Sequence, residues 1–470
     1  MAIANTTIRK SVKRVYLCGI GGIGMANVAA LLKQGGFEVS GSDANVYEPA
    51  ASILREAGVK LLTPYGAENV PTDGTPVIVG NALSRGHMEV EAALDAGAPM
   101  FSFPEFLCRN VLAGRHTLVV AGTHGKSTMT ACLAHILYAT GRNPGFLVGA
   151  QPVNFSAGAA WGGEEGPFAI EGDEYDSAFF DKRSKFLHYF PRTLILGNVE
   201  YDHADIFPSL TDMLLSYQRL LRLLPQRGDL VFLRDSEATT TLAGAAPCRK
   251  TSVGLTEKAD WMLLEGHRSL SFRAPDGRRH EQPFALPGRH NRLNALISVA
   301  AACVYSVPLE DALRAVGAFR GLRRRLEKLL ERPDLIVYDD FAHHPTAIAE
   351  TLRALREEHP KLRLVAVLEP RSNTMVRNVF RRELAEALTL ADEVVAGTIH
   401  RADRIPATDR LDLDRLRSDL MQVGVRFTPL PNSEIPGHVR AVVQTAPSVV
   451  VFMSNGGFDG VPQRFVELLN

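Results

Sequence analysis

The chain has 470 residues, and its 52 Lys+Arg match its 52 Asp+Glu, for a formal net charge of +0. That balance removes the electrostatic reason to expect nucleic acid or an anionic membrane as partner and favours a small molecule. The length exceeds what one compact core accommodates and predicts about three domains. Cys18, Cys108, Cys132, Cys248 and Cys303 are scattered, odd in number and without a Cys-x-x-Cys pair. They indicate neither a disulfide framework nor a cysteine zinc site, and a reducing, cytoplasmic compartment is expected.

Near the start, Arg9, Lys10, Lys13 and Arg14 precede a mostly apolar stretch, Val15 to Leu32, with the outline of a signal peptide. Glycines at 19, 21, 22 and 24 interrupt it at the phase of a strand turning into a helix, so it reads instead as the opening of a domain. No other segment is long and apolar enough to span a membrane. Short β-rich runs at Val15 to Cys18, Phe37 to Ser40, Pro76 to Gly80 and Pro99 to Phe101 alternate with helical stretches such as Met25 to Gln34. This predicts a small α/β domain. Gly19, Gly21, Gly22 and Gly24 fit the dinucleotide fingerprint, with Asp43 placed as a ribose-binding acid. The underlying chemistry is recognition of a diphosphate by backbone N–H groups at a helix N-terminus. A nucleotide-sugar diphosphate satisfies it as well as NAD does, and a turn that only packs helix on strand would use the same letters.

Next, Thr117 to Val120 forms a continuous apolar run, and Met129 to Ala139 has helical spacing. They are joined by Ala121-Gly122-Thr123-His124-Gly125-Lys126-Ser127-Thr128, a glycine-rich phosphate loop two residues shorter than the usual Walker A spacing. Gly122 and Gly125 let backbone N–H groups approach an anion, Lys126 can reach the β- and γ-phosphates, and Ser127 can ligate Mg²⁺. Strands are expected at Phe168 to Ile170 and Thr193 to Gly197. The first ends on Glu171-Gly172-Asp173-Glu174-Tyr175-Asp176 and the second on Asn198-Val199-Glu200-Tyr201-Asp202-His203. Two acid-rich strand ends beside a phosphate loop point to bound Mg²⁺.

His290-Asn291-Arg292-Leu293-Asn294 opens a helix running to about Val304, with His290 and Asn294 one turn apart on the same side. Such a pair can face a planar base, although an N-cap with a second polar residue explains it equally well. The basic segment Phe319 to Arg325 closes this domain, and Arg325 can clamp phosphate. A third set of alternating elements has strands at Leu335 to Asp339, Leu362 to Leu368, Glu393 to Gly397 and Val449 to Met453. Its first strand ends on Asp339-Asp340-Phe341-Ala342-His343-His344-Pro345, whose carboxylates and imidazoles can reach ribose and phosphates. Gly162 to Gly166 and Ala402 to Asp414 read as surface loops.

In this order, and over nearly the whole chain, these motifs resemble the ATP-dependent Mur ligases of bacterial cell-wall synthesis. The resemblance implies an α/β, three-domain architecture. A Rossmann-like UDP-sugar domain would span residues 1–114 and a central P-loop ATPase-like domain 115–327. A Rossmann-like C-terminal domain, 328–470, would bind the incoming peptide and close over ATP. Gly122, Thr123, His124, Gly125, Lys126, Ser127, Thr128, His290, Asn294, Arg325, Asp340 and His343 would bind ATP. Lys126, His203 and Arg325 would be catalytic, and Ser127, Glu171 and His203 would hold Mg²⁺. Gly19, Gly21, Gly22, Gly24, Ser42 and Asp43 would bind the UDP sugar. Ser127 stands where relatives commonly have Thr and keeps the hydroxyl; Gly172 stands where Ala is usual. Several members carry a carbamylated lysine in the region matching Met213 to Arg222, which has no lysine here, so no carbamate is expected.

Within the family, Ser42 to Tyr47, Glu174 to Phe186, Glu369 to Met375 and Met453 to Phe458 are similar to one branch. That branch joins the murein tripeptide L-alanyl-γ-D-glutamyl-meso-diaminopimelate, recovered by peptidoglycan recycling, to UDP-N-acetylmuramate. The lactyl carboxylate would attack the γ-phosphate of ATP, and the peptide amine would then displace phosphate from the acyl phosphate. Arg371, followed by Ser372 and Asn373, is expected to hold a peptide carboxylate as a bidentate fork. L-alanine is the alternative acceptor. From other classes, an NAD-dependent oxidoreductase would leave the phosphate loop and His-Asn-x-x-Asn without a task, and a nucleotide-gated binding protein would bind ATP without peptide-dependent ADP release.

Overall fold

The computed structural model describes residues 13–204 and 206–469; Arg9 and Lys10 of the N-terminal basic run lie outside them. The chain forms two compact units. The first takes residues up to Glu200, with Leu210–Ala285 and Leu293–Gly321; the second takes Tyr201–Ser209, Leu286–Arg292 and the chain from Leu322 onward.

The first unit begins with β1 (Arg14–Cys18), β2 (Glu38–Ser42), β3 (Lys60–Leu62), β4 (Val77–Val79) and β5 (Met100–Ser102). They form a parallel sheet in the order β3-β2-β1-β4-β5. The apolar runs Val15-Tyr16-Leu17 and Val77-Ile78-Val79 are buried throughout, as strands covered on both faces require. Chain order reverses between β1 and β4, which puts the ligand crevice of such a sheet at the carboxyl end of β1, where the glycine turn leaves it. The helix Ile23–Gln34 follows that turn.

A second sheet in the same unit is built from β6 (Thr117–Ala121), β7 (Gly145–Leu147), β8 (Ala159–Ala160) and β9 (Phe168–Gly172). A hairpin of β10 (Asp176–Ala178) and β11 (Asp181–Ser184) intervenes before β12 (Thr193–Leu196). Then follow β13 (Asp229–Leu233), β14 (Arg249–Gly254), β15 (Trp261–Leu263), β16 (Ser269–Arg273) and β17 (Arg279–Pro283). The order is β17-β16-β15-β14-β13-β12-β6-β9-β7-β8. β6 pairs in parallel with both β9 and β12, so the segments leaving these three strands gather at one edge. The helix after the phosphate loop starts at Lys126, earlier than the apolar spacing predicts, because Gly125 at φ 75° turns the chain directly into it.

The second unit carries β18 (Glu327–Glu331), β19 (Leu335–Asp340), β20 (Arg363–Leu368), β21 (Glu393–Ala396), β22 (Arg426–Pro429) and β23 (Ser448–Met453). Their order is β18-β19-β23-β20-β21-β22, with β18 antiparallel to β19. One face packs on a core including Ile348, Leu352 and Leu388; the other packs on Val439, Phe458 and Phe465. Ala402 to Asp414 departs from the expected surface loop: Ile405 and Leu411 are buried in the first of these cores, which anchors the segment. Among the described residues no helix is long and apolar enough to cross a membrane.

Candidate active site

The phosphate loop leaves β6 under close constraint. Gly122 sits at φ 136°, and a Cβ there would lie 3.0 Å from the backbone of Gly197 and Asn198, so only glycine lets the loop pass the end of β12. Thr123 fastens the loop to that neighbour: its N–H donates to the Asn198 carbonyl at 2.6 Å, and its hydroxyl donates to the Glu200 carbonyl at 2.9 Å. The Asn294 amide lies against the second glycine, since a Cβ on Gly125 would fall 2.6 Å from its Oδ1. The helix that begins at Lys126 has no acidic residue in its first turn, which leaves its N–H end attractive to an anion.

Lys126 and Ser127 both meet carboxylates from the end of β9. The Lys126 Nζ donates to the two Glu174 oxygens at 2.8 and 3.0 Å and to the Gly122 carbonyl at 2.8 Å. Burial disfavours the ammonium, but Glu174, aided by Asp173, outweighs that and raises the Lys126 pKa. The Ser127 hydroxyl donates to Glu171 Oε1 at 2.9 Å, and the other Glu171 oxygen accepts the Gly149 N–H at 2.8 Å. A hydroxyl beside a carboxylate at a phosphate loop is a hard-oxygen donor set of the kind Mg²⁺ takes, so the residues present fit that ion. His124 pairs with Glu200. Thr128 is buried in the first helical turn.

At the first sheet, Gly19 has φ 81° and donates its N–H to the Ser42 carbonyl at 2.9 Å. The Gly21 N–H donates to Asp43 Oδ2 at 2.7 Å, so this acid closes the glycine turn and takes an N–H expected to meet a diphosphate. Gly22 and Gly24 face open space. Ser42 requires a correction: it is wholly buried, and its hydroxyl donates inward to Glu89 rather than outward to a sugar nucleotide. Glu89 also accepts from Tyr16 Oη at 3.1 Å, Cys18 Sγ at 3.0 Å, Gly66 N–H at 3.0 Å and Asn69 Nδ2 at 3.2 Å. Burial alone would raise its carboxyl, yet these donors hold it below the ordinary range.

His203, His290, Arg325, Asp340 and His343 lie in the second unit, and Asn294 in the first. His290 turns toward Glu350, its Nδ1 3.8 Å from a carboxylate oxygen, whereas Asn294 turns toward Gly125. The expectation that the two face one base rests on the helical spacing alone. Asp340 is likewise turned inward, accepting from Leu326 N–H at 2.6 Å, Ala342 N–H at 2.8 Å and the Thr351 hydroxyl at 3.2 Å. The Arg325 guanidinium stands 4.6 Å from the Phe341 ring centre, and His343 Nδ1 bonds the Phe341 carbonyl at 2.9 Å. His203 has φ 57° and donates its N–H to Asp202, which also accepts from Thr374 at 3.1 Å. Of the expected metal set, one unit thus brings together Ser127 and Glu171, while His203 belongs to the other.

Arg371 is held after β20 by Glu369 Oε1 at 3.2 Å and His400 Nδ1 at 3.4 Å. A Cβ on Gly456 would fall 2.0 Å from its Nε, so that glycine makes room for the guanidinium. Ser454 donates to the other Glu369 oxygen. Ser372 donates to the His343 carbonyl at 3.4 Å, and Asn373 is exposed. Sequence reasoning missed Glu174, Glu369 and Gly456 as site residues although each stood in a motif it singled out; it missed Glu89 altogether.

A strand, a shortened phosphate loop with its lysine and serine engaged by carboxylates of the adjacent strand end, and parallel sheets around it define a phosphoryl-transferring nucleotide enzyme. The chain belongs to the Mur ligase family: residues 14–114 match its model for the catalytic domain, 120–302 the Mur ligase middle domain and 324–419 the glutamate ligase domain. It has the three-domain α/β Mur ligase architecture and is an ATP-dependent ligase of that family. It is 39% identical to the UDP-N-acetylmuramate--L-alanyl-gamma-D-glutamyl-meso-2,6-diaminoheptandioate ligase of Escherichia coli (strain K12), over 97% of this chain and 98% of that protein. A murein peptide ligase from Psychrobacter arcticus 273-4 superposes with a TM-score of 0.74 and 33% identity, covering 97% of this chain and 98% of that one. UDP-N-acetylmuramate-alanine ligase from Thermotoga maritima gives a TM-score of 0.78 with 26% identity, covering 97% and 99%.

Proposed function

We propose that the protein joins L-alanyl-γ-D-glutamyl-meso-diaminopimelate to the lactyl carboxylate of UDP-N-acetylmuramate at the expense of ATP, in peptidoglycan recycling in the cytoplasm. The observation that carries the activating half is the pairing of Lys126 with Glu174 and of Ser127 with Glu171 at the mouth of the phosphate loop. The acceptor is supported by the 39% identity to the tripeptide-adding enzyme. The Thermotoga maritima alanine ligase has a backbone at least as similar but shares less sequence, so L-alanine is the weaker reading. We assign the UDP sugar to a domain over residues 1–114, ATP to 115–327 and the peptide to 328–470, the last around Arg371.

In this reading the N–H groups of the phosphate loop and the following helix hold the nucleotide phosphates, and Lys126 exchanges Glu174 for the β- and γ-phosphates. Mg²⁺ held by Ser127 and Glu171 would neutralise charge on the phosphates when bound. A lactyl carboxylate oxygen bonds to the γ-phosphorus while the bond to the β,γ-bridging oxygen breaks, and that electron pair leaves with ADP. The peptide amine then attacks the acyl carbon, loses a proton, and expels phosphate. His203, His290, Arg325, Asp340 and His343 stay expectations of the family resemblance.

The test uses UDP-N-acetylmuramate labelled with ¹⁸O in the lactyl carboxylate, together with ATP and the tripeptide. One ¹⁸O per turnover should leave in inorganic phosphate. Amide formation with unlabelled phosphate would contradict the acyl phosphate, and absence of ADP with any acceptor would contradict the ligase reading.

A further inference from the structure

The hairpin β10–β11 carries Lys182 and Arg183 and is followed at once by Lys185, and the three cations behave differently. The Lys182 and Arg183 side chains are 70% and 60% exposed and pair with Asp176 and Asp181 of the hairpin itself. Lys185 is 13% exposed and points inward, its Nζ 2.6 Å from Asp173 Oδ2. At the hairpin turn, Phe179 packs against the core of the first sheet, where Tyr16, Cys18, Val77 and Val79 lie. The hairpin therefore ties the end of β9 to the first sheet within one compact unit.

The surroundings of the Lys185 ammonium come from both sheets. Asp173 directly follows β9, whose last residue, Gly172, is the register partner of Ala121 at the start of the phosphate loop. On another side stands the Phe103 ring, 5.7 Å away, directly after β5; the Tyr175 ring lies at 5.5 Å. β5 is two places from β1 in the first sheet, so its carboxyl end is about 10 Å from the glycine turn by strand spacing. A substrate anchored by its diphosphate at that turn, and reacting at the phosphate loop, has to place its reacting group in this region.

We infer that Lys185 binds the lactyl carboxylate of UDP-N-acetylmuramate and holds it for attack at the γ-phosphate. The inference rests on the reading above and assigns that reading a residue for its nucleophile. Attack brings one anion up to another, and a cation beside the nucleophile lowers the cost of the approach in addition to those on the phosphates. Lys126 is committed to the phosphates in that reading; Lys185 is the half-buried ammonium next along the same acidic strand end. Asp173 takes one of its three N–H donors and the Phe103 and Tyr175 rings stand beside it, so a second carboxylate can join without expelling the first.

Calorimetric titration of the full-length protein with two sugar nucleotides tests this. UDP-N-acetylglucosamine keeps the uridine, diphosphate and sugar but lacks the lactyl carboxylate. Lys185→Met should weaken UDP-N-acetylmuramate roughly ten- to a hundredfold, the loss of a charged hydrogen bond, and leave UDP-N-acetylglucosamine within about twofold. Lys185→Arg keeps the charge and should retain most of the preference for the carboxylate-bearing ligand, which keeps the test open if the Met variant does not fold. An equal loss for both ligands in either variant, or no loss in Lys185→Met, overturns the inference while ADP release by the unaltered protein leaves the ligase reading intact. Failure of the unaltered protein to bind UDP-N-acetylmuramate overturns both.

Discussion

Replacing Glu174 by Gln removes the charge that faces Lys126 while keeping the side chain's size. The Glu174 side chain is 0% exposed and that of Lys126 12%, so the pair is nearly dry. Breaking a buried pair by neutralising one partner costs about 3–5 kcal/mol, because the other charge stays buried without compensation. Lys126 retains the Gly122 and Thr123 carbonyls at 2.8 and 3.3 Å, which places the expected loss near the lower end, about 3 kcal/mol. At roughly 1.6 °C per kcal/mol for a unit of about 300 residues, the unfolding transition of the first unit should fall by about 5 °C. A non-hydrolysable ATP analogue with Mg²⁺ supplies phosphates for the ammonium, so at saturation the gap between variant and unaltered protein should shrink to about 1–2 °C. Scanning calorimetry with and without the analogue reads both. An equal gap in the two conditions would show that Lys126 does not leave position 174 for the nucleotide and would refute the reasoning.

Asp339 is 3% exposed, and its burial lifts the carboxyl to about 6 against the pull of Arg324. The folded state thus holds this proton more tightly than the unfolded chain, so the contribution is full below about pH 4 and is lost as pH rises through 6, about 3 kcal/mol in all. Urea midpoints for Asp339→Asn should lack that decline between pH 4 and 6; an unchanged slope contradicts the assignment. Gly456→Ala puts a methyl group where the Arg371 guanidinium lies, so it and Arg371→Ala should each raise the KM for the tripeptide at least tenfold with little change in the KM for ATP. Unaltered tripeptide kinetics in both variants would remove Arg371 from the acceptor site. Glu89→Gln leaves the buried donors of Tyr16, Cys18 and Ser42 facing an amide. It should destabilise the first unit by about 1.5–3 kcal/mol in denaturant titrations, and a loss under about 1 kcal/mol would show the carboxylate is not needed. Lys126→Ala should abolish acyl-phosphate formation and leave UDP-N-acetylmuramate affinity within about twofold by titration; loss of that affinity contradicts the separation of the two sites.

What sequence pattern made legible is what depends on local rules. An apolar run ending in Gly-Thr-His-Gly-Lys-Ser identifies a strand, a phosphate loop and a helix N-terminus because each is set by neighbours within a few residues. Which acid serves which cation is not local. Glu171 and Glu174 stand three apart at one strand end, yet the first takes Ser127 and the second takes Lys126, a choice made by the path of the chain beyond Gly172. Glu89 was illegible because Met88-Glu89-Val90 opens a helix, where an acid is ordinarily solvated; only the fold brings Tyr16, Cys18 and Ser42 around it. For His290 and Asn294, helical spacing gives a common side, whereas their neighbours Glu350 and Gly125 are set by the tertiary fold and were not legible.

The identity of the acceptor is decided by a competition assay. UDP-N-acetylmuramate and ATP are supplied with equal concentrations of L-alanyl-γ-D-glutamyl-meso-diaminopimelate and L-alanine, and the nucleotide product is weighed by mass spectrometry. The expected product is the tripeptide adduct, formed in step with ADP. A product carrying alanine alone would contradict it.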